Sequence, residues 1–261
     1  MTSQQGKVRS GWLSAQRSIA RADAFSKAIG VKDAVFCFSD RVFSRLVEAF
    51  ELGDAEDAPP VAGSLAGKRD ESVAVYLAYF GAPAAGLLLE TLIASGVERF
   101  VMVGQAGSIS PRCAIGDVFL PTWGVREEGT SYHYLPPDVV CHPTGELLDV
   151  VRGYLDGVGV VEGGVWTIDA AFRETPDKVE SFAQREVLAV EMECTAMMAI
   201  AMVRRVAFAA ALVITDHLFS GEWVRGFRGA EVVAAQELLC RRLAEGFRER
   251  EAFLSGGGEE V

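Results

Sequence analysis

The chain has 261 residues, half of them hydrophobic, and a formal net charge of −11 at pH 7. This length suffices for one sizeable hydrophobic core. The acidic balance argues against nucleic acid as a partner, because binding to a phosphate backbone requires a basic face. No apolar stretch reaches the roughly 20 residues that a membrane span needs, so no membrane partner is expected.

The five cysteines are scattered along the chain without CxxC spacing. This usage is typical of a reduced, cytoplasmic protein. Residues 1–30 carry several Lys and Arg side chains but lack the apolar core of a secretory signal. We interpret them as an N-terminal extension packed on the fold, and a transit peptide is the alternative.

Apolar runs alternate with helical patterns from residue 31 onwards. Strands are predicted at residues 34–38, 73–80, 99–103, 117–121, 165–168, 187–190 and 206–214. Helices are predicted at residues 42–51, 83–94, 193–204 and 230–253, and loops at 52–72 and 123–143. This alternation predicts an α/β fold, a single domain at residues 31–254 with a central mixed β-sheet flanked by helices. Residues 255–261 are predicted to be a flexible tail.

Two glycine-containing segments follow predicted strands. Gly81-Ala82-Pro83 precedes a helix whose N-terminus would favour an anion, although small residues there also serve helix packing. The segment 104–108 is predicted to be a turn whose backbone N–H groups approach a ligand, and a plain tight turn is the alternative.

The loop at residues 126–134 is dense in donors, acceptors and aromatic rings, which is typical of binding loops. It is a poor metal site, because His133 and His142 are nine residues apart and no ligand cluster surrounds them. We therefore predict no metal. A hydrolytic triad is also disfavoured, since the chain has three histidines and no nucleophile-elbow serine.

Carboxylates follow two of the apolar runs. Glu191 and Glu193 come after residues 187–190, and Asp216 follows the uncharged run 206–214. In open α/β sheets ligands bind at the carboxyl ends of strands, so these side chains are predicted to share a crevice. The alternatives are acids stabilised by a helix N-terminus for the two glutamates, and an N-cap-like role for Asp216.

These segments, in this order and spacing, resemble the nucleoside phosphorylase family, in the branch of hexameric purine nucleoside phosphorylases, uridine phosphorylases and methylthioadenosine nucleosidases. The matching residues are Gly81-Ala82-Pro83, 104–107, Ile115-Gly116-Asp117, Val190-Glu191-Met192-Glu193 and Thr215-Asp216-His217. The loop at 128–134 is similar to that of the uridine-phosphorylase-like subgroup.

The resemblance implies that the chain transfers ribose to phosphate, with phosphate as co-substrate and without any cofactor. Asp216 would be the general acid at purine N7. Because pyrimidines have no N7, a purine nucleoside is the expected substrate. Glu193 would accept hydrogen bonds from the ribose 2′- and 3′-hydroxyls, with Met192 and Glu191 also at the sugar. Cleavage of an N-glycosidic bond builds positive charge on the ribose and negative charge on the base. Glu193 at the sugar would stabilise the first, and proton donation by Asp216 would neutralise the second.

The resemblance also implies the remaining contacts. The base would be held by Phe172, Arg173, Gln105 and Ala106, and the phosphate by Gly104, Arg41, Arg45 and Thr130. His133 would reach the site from a neighbouring subunit of a homo-oligomer, a dimer or a trimer of dimers. The aromatic loop around Tyr132 and Tyr134 is predicted to be exposed, which also favours oligomerisation.

One departure from the family pattern concerns the phosphate. Met102 stands where family phosphorylases carry an Arg, and the usual Gly-Asp-Pro loop is altered at residues 38–41. A nucleosidase that uses water is therefore an alternative, and a catalytically silent relative that binds nucleosides is another.

Overall fold

The computed structural model describes residues 18–256, so predictions for residues 1–17 and for the tail at 257–261 lie outside the described residues. Of the predicted extension, the described part contains a 3-10 helix at Ala22–Phe25. Ile29 is buried, and its N–H donates to the carbonyl of Ser95 at 3.3 Å. Residues 18–30 thus lie against the rest of the fold at this point.

The chain forms ten strands and six α-helices within the described residues. The strands are β1 (Asp33–Cys37), β2 (Glu56–Asp57), β3 (Ser64–Arg69), β4 (Val73–Ala78), β5 (Arg99–Ser108), β6 (Val118–Glu127), β7 (Val160–Ile168), β8 (Val187–Glu191), β9 (Ala207–His217) and β10 (Val224–Arg225). The helices are α1 (Asp40–Ala49), α2 (Ala82–Ala94), α3 (Gly145–Tyr154), α4 (Pro176–Ala183), α5 (Cys194–Arg204) and α6 (Ala230–Gly256). Two further 3-10 helices lie at Thr130–His133 and Ala171–Arg173.

All ten strands belong to one mixed sheet, in the order β10-β9-β6-β7-β8-β5-β1-β4-β3-β2. β1 pairs in parallel with β4 and β5, whereas β8 pairs antiparallel with β5. An additional parallel pairing between β5 and β9 closes β5, β8, β7, β6 and β9 into a ring. The predicted α/β fold with a central mixed sheet flanked by helices is confirmed.

Two apolar clusters cover the two faces of the sheet. One contains Leu88 and Leu89 of α2 with Met197 and Ile200 of α5. The other contains residues of α1, α3 and α6, which are Val42, Leu46, Leu147, Val151, Leu239 and Leu243. The near-continuous apolar strands β1, β4 and β9 are explained by this burial on both faces.

The prediction of a turn at residues 104–108 is wrong. β5 continues through Ser108, and its ladder with β9 extends from Gly104 opposite Leu212 to Ser108 opposite His217. A Cβ atom at Gly104 would lie 2.7 Å from Cδ2 of Leu212. This glycine therefore serves close packing within the sheet, where a side chain would have no room.

The predicted loop at residues 123–143 is also partly wrong. β6 extends to Glu127 in parallel register with β7. A Cβ atom at Gly164 of β7 would lie 2.5 Å from the ring of Trp123, so the absence of a side chain there accommodates the indole. The composition of this segment is typical of a loop, but packing across the sheet stabilises a strand in its first part.

Candidate active site

The ends of β8 and β9 meet on either side of Gly107 in β5. Val190 pairs with Gly107 from β8, and Asp216 pairs with it from β9. A Cβ atom at Gly107 would lie 3.1 Å from Oδ2 of Asp216 and 3.4 Å from Cγ1 of Val190. Two acidic segments that are far apart in the sequence are thus brought together around one glycine.

Asp216 is buried, and both of its oxygens accept hydrogen bonds. The hydroxyl of Thr215 donates to Oδ1 at 2.9 Å, and the indole N–H of Trp223 donates to Oδ2 at 2.7 Å. Burial raises the pKa of Asp216, while the hydrogen bonds from Trp223 and Thr215 oppose that rise. A carboxyl group with a raised pKa is suited to donating a proton near neutral pH.

The carboxylate of Glu191 points to the start of α5. Its Oε2 accepts from the backbone N–H groups of Glu193 at 2.7 Å and Cys194 at 2.8 Å, and its Oε1 accepts from the hydroxyl of Thr167 at 2.5 Å. The first N–H groups of a helix lack partners within the helix, and Glu191 supplies them. Glu191 thus caps α5, and its predicted place at the sugar stays a prediction.

Glu193 lies beside the start of α2. Its Oε1 accepts a hydrogen bond from the backbone N–H of Gly81, whose φ of 95° is a conformation that favours glycine. Burial and the charge of Glu191 raise the pKa of Glu193 to about 8. Met192, between the two glutamates, is half-buried. The Gly81-Ala82-Pro83 motif and the Glu-Met-Glu motif therefore belong to one site.

Of the residues predicted at the base, Phe172 and Arg173 are exposed on the 3-10 helix after β7, and Phe172 is 97% exposed. Gln105 is half-buried and Ala106 is buried, both in β5 beside Gly107. The hydroxyl oxygen of Thr215, which donates to Asp216, lies 3.5 Å from the carbonyl oxygen of Ala106. The β5 residues thus adjoin the acidic segments.

Two residues near Asp216 were not predicted from the sequence. Glu174 is half-buried directly after the exposed residues 170–173, and burial together with the charge of Asp216 raises the pKa of Glu174 to about 7. Trp223 lies seven residues after Asp216 and hydrogen-bonds to it. The sequence signal for Glu174 is its position directly after Phe172 and Arg173, which were predicted at the base. No sequence pattern relates Trp223 to Asp216.

The residues predicted to bind phosphate are dispersed. Arg41 is exposed in the first turn of α1, where Ser39 is the N-cap residue without a side-chain cap bond. Gly104 is buried in β5. Thr130 packs on α2, where a Cβ atom at Gly86 would lie 3.4 Å from its Cγ2.

Arg45, which is also predicted to bind phosphate, contacts α6. Its guanidinium donates to Oε1 of Gln236 at 2.6 Å and forms an ion pair with Glu237 at 3.3 Å. Arg45 therefore joins α1 to α6, because the two helices pack on the same face of the sheet. Met102 is fully buried in the core, so the chain has no charge at this position.

Contacts within the chain fix the aromatic loop at residues 126–134. Its two tyrosines are half-buried, contrary to the prediction that they are exposed. The guanidinium of Arg126 donates to the hydroxyl of Ser131 and to the carbonyls of Leu135, Pro136 and Val139. Tyr132 donates to the carbonyl of Arg126 and stacks under its guanidinium at 4.2 Å.

Tyr134, in the same loop, is half-buried, and its hydroxyl donates to Glu90 of α2 at 2.9 Å. His133 is exposed. The chain thus uses both tyrosines of the loop for its own contacts, which removes the exposed aromatic surface as an argument for oligomerisation. The position of His133 is compatible with a contact to another chain.

Exposed aromatic side chains instead follow the strand ends near the acids. Phe80 precedes Gly81 and is 68% exposed, Trp223 is 53% exposed, and Tyr79 is 54% exposed. We refer to these three residues and Phe172 as the aromatic rim. Aromatic faces are suited to packing on a planar ring.

In residues 18–256, no three His, Cys, Asp or Glu side chains are grouped as metal ligands would be. Within the same residues, no helix combines the length and the apolar character that a bilayer-spanning segment needs.

Comparisons with known proteins identify relatives of this arrangement. Residues 34–245 match the model of the phosphorylase superfamily. A purine nucleoside phosphorylase, DeoD-type, from Bacillus cereus is 32% identical over 164 residues, which are 61% of this chain and 68% of that protein. A protein of the same description from Bacillus thuringiensis is 31% identical with the same coverage.

Solved structures share the fold at lower identity. The purine nucleoside phosphorylase of Toxoplasma gondii, in complex with immucillin-H, superposes with a TM-score of 0.74 at 15% identity, over 90% of this chain and 97% of that one. The uridine phosphorylase of Vibrio fischeri superposes with a TM-score of 0.72 at 17% identity, over 90% and 100%.

Proposed function

The chain belongs to the phosphorylase superfamily, and from this premise we propose that it is a nucleoside phosphorylase. This pentosyltransferase cleaves the N-glycosidic bond of a purine nucleoside with inorganic phosphate and releases free base and ribose 1-phosphate. Phosphate is the co-substrate, and the proposed reaction uses no cofactor.

The observation that carries the proposal is the convergence of the two acidic segments at Gly107. Asp216 lies on one side of this glycine and the Glu-Met-Glu segment on the other. A single nucleoside bound across β5 would therefore meet a proton donor at its base and a carboxyl group at its sugar. This is the pair of groups that cleavage of a glycosidic bond requires.

Each acid has a distinct role in the proposed reaction. Asp216 donates a proton to purine N7 as the bond to the sugar breaks, which neutralises the charge that develops on the base. Glu193 accepts hydrogen bonds from the 2′- and 3′-hydroxyls, so its charge stabilises the positive sugar in the transition state. Met192 packs on the sugar, while Phe172, Arg173, Gln105 and Ala106 adjoin the base.

The phosphate site is proposed at the start of α1. Arg41 supplies a positive charge there, and helix N–H groups that lack a side-chain cap favour an anion. Thr130 and the backbone at Gly104 are the further proposed contacts.

The buried side chain of Met102 favours a second candidate function, a nucleosidase in which water is the nucleophile. The family's usual arginine is absent at this position, so the binding of phosphate would depend on Arg41. Phosphate dependence of base release separates the two candidates.

We further propose that the protein is a cytoplasmic homo-oligomer, a dimer or a trimer of dimers, in which His133 reaches the site of a neighbouring subunit. The exposure of the aromatic rim supports this, because a neighbouring chain would cover apolar side chains that water otherwise surrounds. Light scattering that gives the mass of a single chain would contradict it.

The test of the proposed function is a panel of purine and pyrimidine nucleosides assayed with and without phosphate. Free base and ribose 1-phosphate are measured for the wild type and for Asp216→Asn as the inactive control. Phosphate-dependent release of a purine base supports the phosphorylase, and phosphate-independent release supports the nucleosidase. Binding of nucleosides without any turnover would identify a catalytically silent relative.

A further inference from the structure

Glu191 and Glu193 are two residues apart, yet their carboxyl groups have different partners. Glu191 accepts hydrogen bonds from two backbone N–H groups at the start of α5 and from the hydroxyl of Thr167 in β7. Glu193 accepts on Oε1 from the backbone N–H of Gly81 at the start of α2. The carboxyl group of Glu191 is thus bound to α5 and β7, and that of Glu193 to the start of α2.

We propose that Glu191 is a positioning residue that does not contact the sugar: it holds the backbone of Glu193 so that Glu193 alone presents a carboxyl group to the ribose. This inference rests on the proposed function and refines it, since both glutamates were expected at the sugar. The two motif acids then have separate tasks.

The capping arrangement extends to Thr167 of β7. Its hydroxyl donates to Glu191 and accepts from the backbone N–H of Thr195 at 3.0 Å. The first N–H groups of α5 are therefore satisfied by Glu191 and Thr167 together. Since Glu193 is the N-cap residue of α5, any loosening of this cap displaces the side chain that faces the sugar.

The charge of Glu191 also affects Glu193 directly. Burial raises the pKa of Glu191, while its hydrogen bonds from Thr167, Cys194 and Glu193 oppose that rise. Burial of Glu193 and the negative charge of ionised Glu191 together raise the pKa of Glu193 to about 8. The other titratable groups nearby are the Cys194 thiol, whose pKa burial raises, and Glu128, which accepts from the hydroxyl of Thr195.

A pH dependence follows from this pairing. Acceptance of hydrogen bonds from both ribose hydroxyls requires ionised Glu193, so kcat/KM should rise with pH as Glu193 loses its proton. In Glu191→Gln the repelling charge is absent, and the same rise should occur at lower pH. A merely structural role for Glu191 would lower activity without moving this limb of the profile.

The test compares Glu191→Gln with Glu193→Gln, using the ratio of kcat/KM for a ribonucleoside to that for its 2′,3′-dideoxy analogue. Glu193→Gln should reduce the ratio about 10- to 100-fold, the effect of losing charged hydrogen bonds. Glu191→Gln retains a carbonyl oxygen that can accept from the N–H groups of Glu193 and Cys194, so it should keep the ratio within about 3-fold of the wild type and move the rising limb to lower pH. The proposal would be overturned if Glu191→Gln lost the preference for the ribonucleoside, or if its kcat/KM rose at the same pH as that of the wild type.

Thr167→Val is the second variant, in case Glu191→Gln does not fold. It leaves Glu191 in place but removes one of its donors and the acceptor for the N–H of Thr195. The loosened cap should therefore lower both activity and the ratio, and Thr167→Ser should restore both. Calorimetric binding of the two nucleosides gives the same comparison if turnover is absent. A wild type that binds neither overturns the proposed function and this inference, whereas lost discrimination in Glu191→Gln overturns this inference alone.

Discussion

Replacing Gly107 by Ala perturbs the point at which the two acidic segments meet. The added methyl would lie 2.9 Å from Cδ1 of Leu218, 3.1 Å from Oδ2 of Asp216 and 3.4 Å from Cγ1 of Val190. Leu218 can rotate away, but Asp216 is fixed by its bonds to Thr215 and Trp223. The carboxyl group must therefore give way by a few tenths of an ångström.

This displacement sets the expected magnitude. A misplacement of 1 Å can cost about 100-fold in rate, so a shift of a few tenths of an ångström should lower kcat/KM by roughly 4-fold. Overpacking of the site should also lower the free energy of unfolding by about 1 kcal/mol. Release of free purine base and thermal unfolding measure the two effects.

The matched control is Gly153→Ala in α3. No atom lies within 4 Å of the added Cβ, and Ala is favoured over Gly in a helix by about 1 kcal/mol. This variant should keep wild-type activity and unfold at a slightly higher temperature. If Gly107→Ala also kept full activity and stability, Asp216 would not lie against Gly107, and the reasoning would be refuted.

Three further predictions concern charges at the site. Asp216→Ala should keep its fold and lose about 10²–10⁴-fold in kcat, equivalent to about 3–5 kcal/mol of barrier; full activity in the base-release assay would reject the acid role. Glu174 has a pKa raised from 4.5 to about 7, so its protonated form stabilises the fold at low pH and that contribution is lost as pH rises to 7. The melting temperature of Glu174→Gln should therefore gain on the wild type as pH rises from 5 to 8, and a pH-independent difference would contradict this. Arg41→Gln should raise KM for phosphate with little effect on stability, whereas Arg45→Gln should lower the melting temperature and leave KM for phosphate unchanged; the opposite pattern would move the phosphate site toward α6.

The sequence was sufficient for the main elements and for the two acidic segments. Uncharged apolar runs predict β1, β4 and β9 because these strands are buried on both faces. The amphipathic helices α3 and α4 were missed, since the turn-like residues Pro143-Thr144-Gly145 and Thr175-Pro176 stand where they begin. The closure of β5 on β9 was also missed, because register between distant strands leaves no local pattern.

The limits at the site have the same physical origin. Arg41 and Arg45 are one helical turn apart, and only the packing of α6 on α1 separates their roles. Glu191 and Glu193 are equivalent by residue type, and the cap on α5 distinguishes them. The hydrogen bond from Trp223 to Asp216 and the electrostatic effect of Asp216 on Glu174 depend on loops that follow different strands.

The central claim is that Glu193 and Asp216 act on one nucleoside. The most direct measurement is a crystal structure with an uncleavable purine nucleoside analogue and phosphate. We expect the carboxyl group of Glu193 within hydrogen-bonding distance of a ribose hydroxyl, and that of Asp216 within the same distance of N7 of the same molecule. A ligand that contacts only one of these carboxyl groups, or binds elsewhere, would contradict the account.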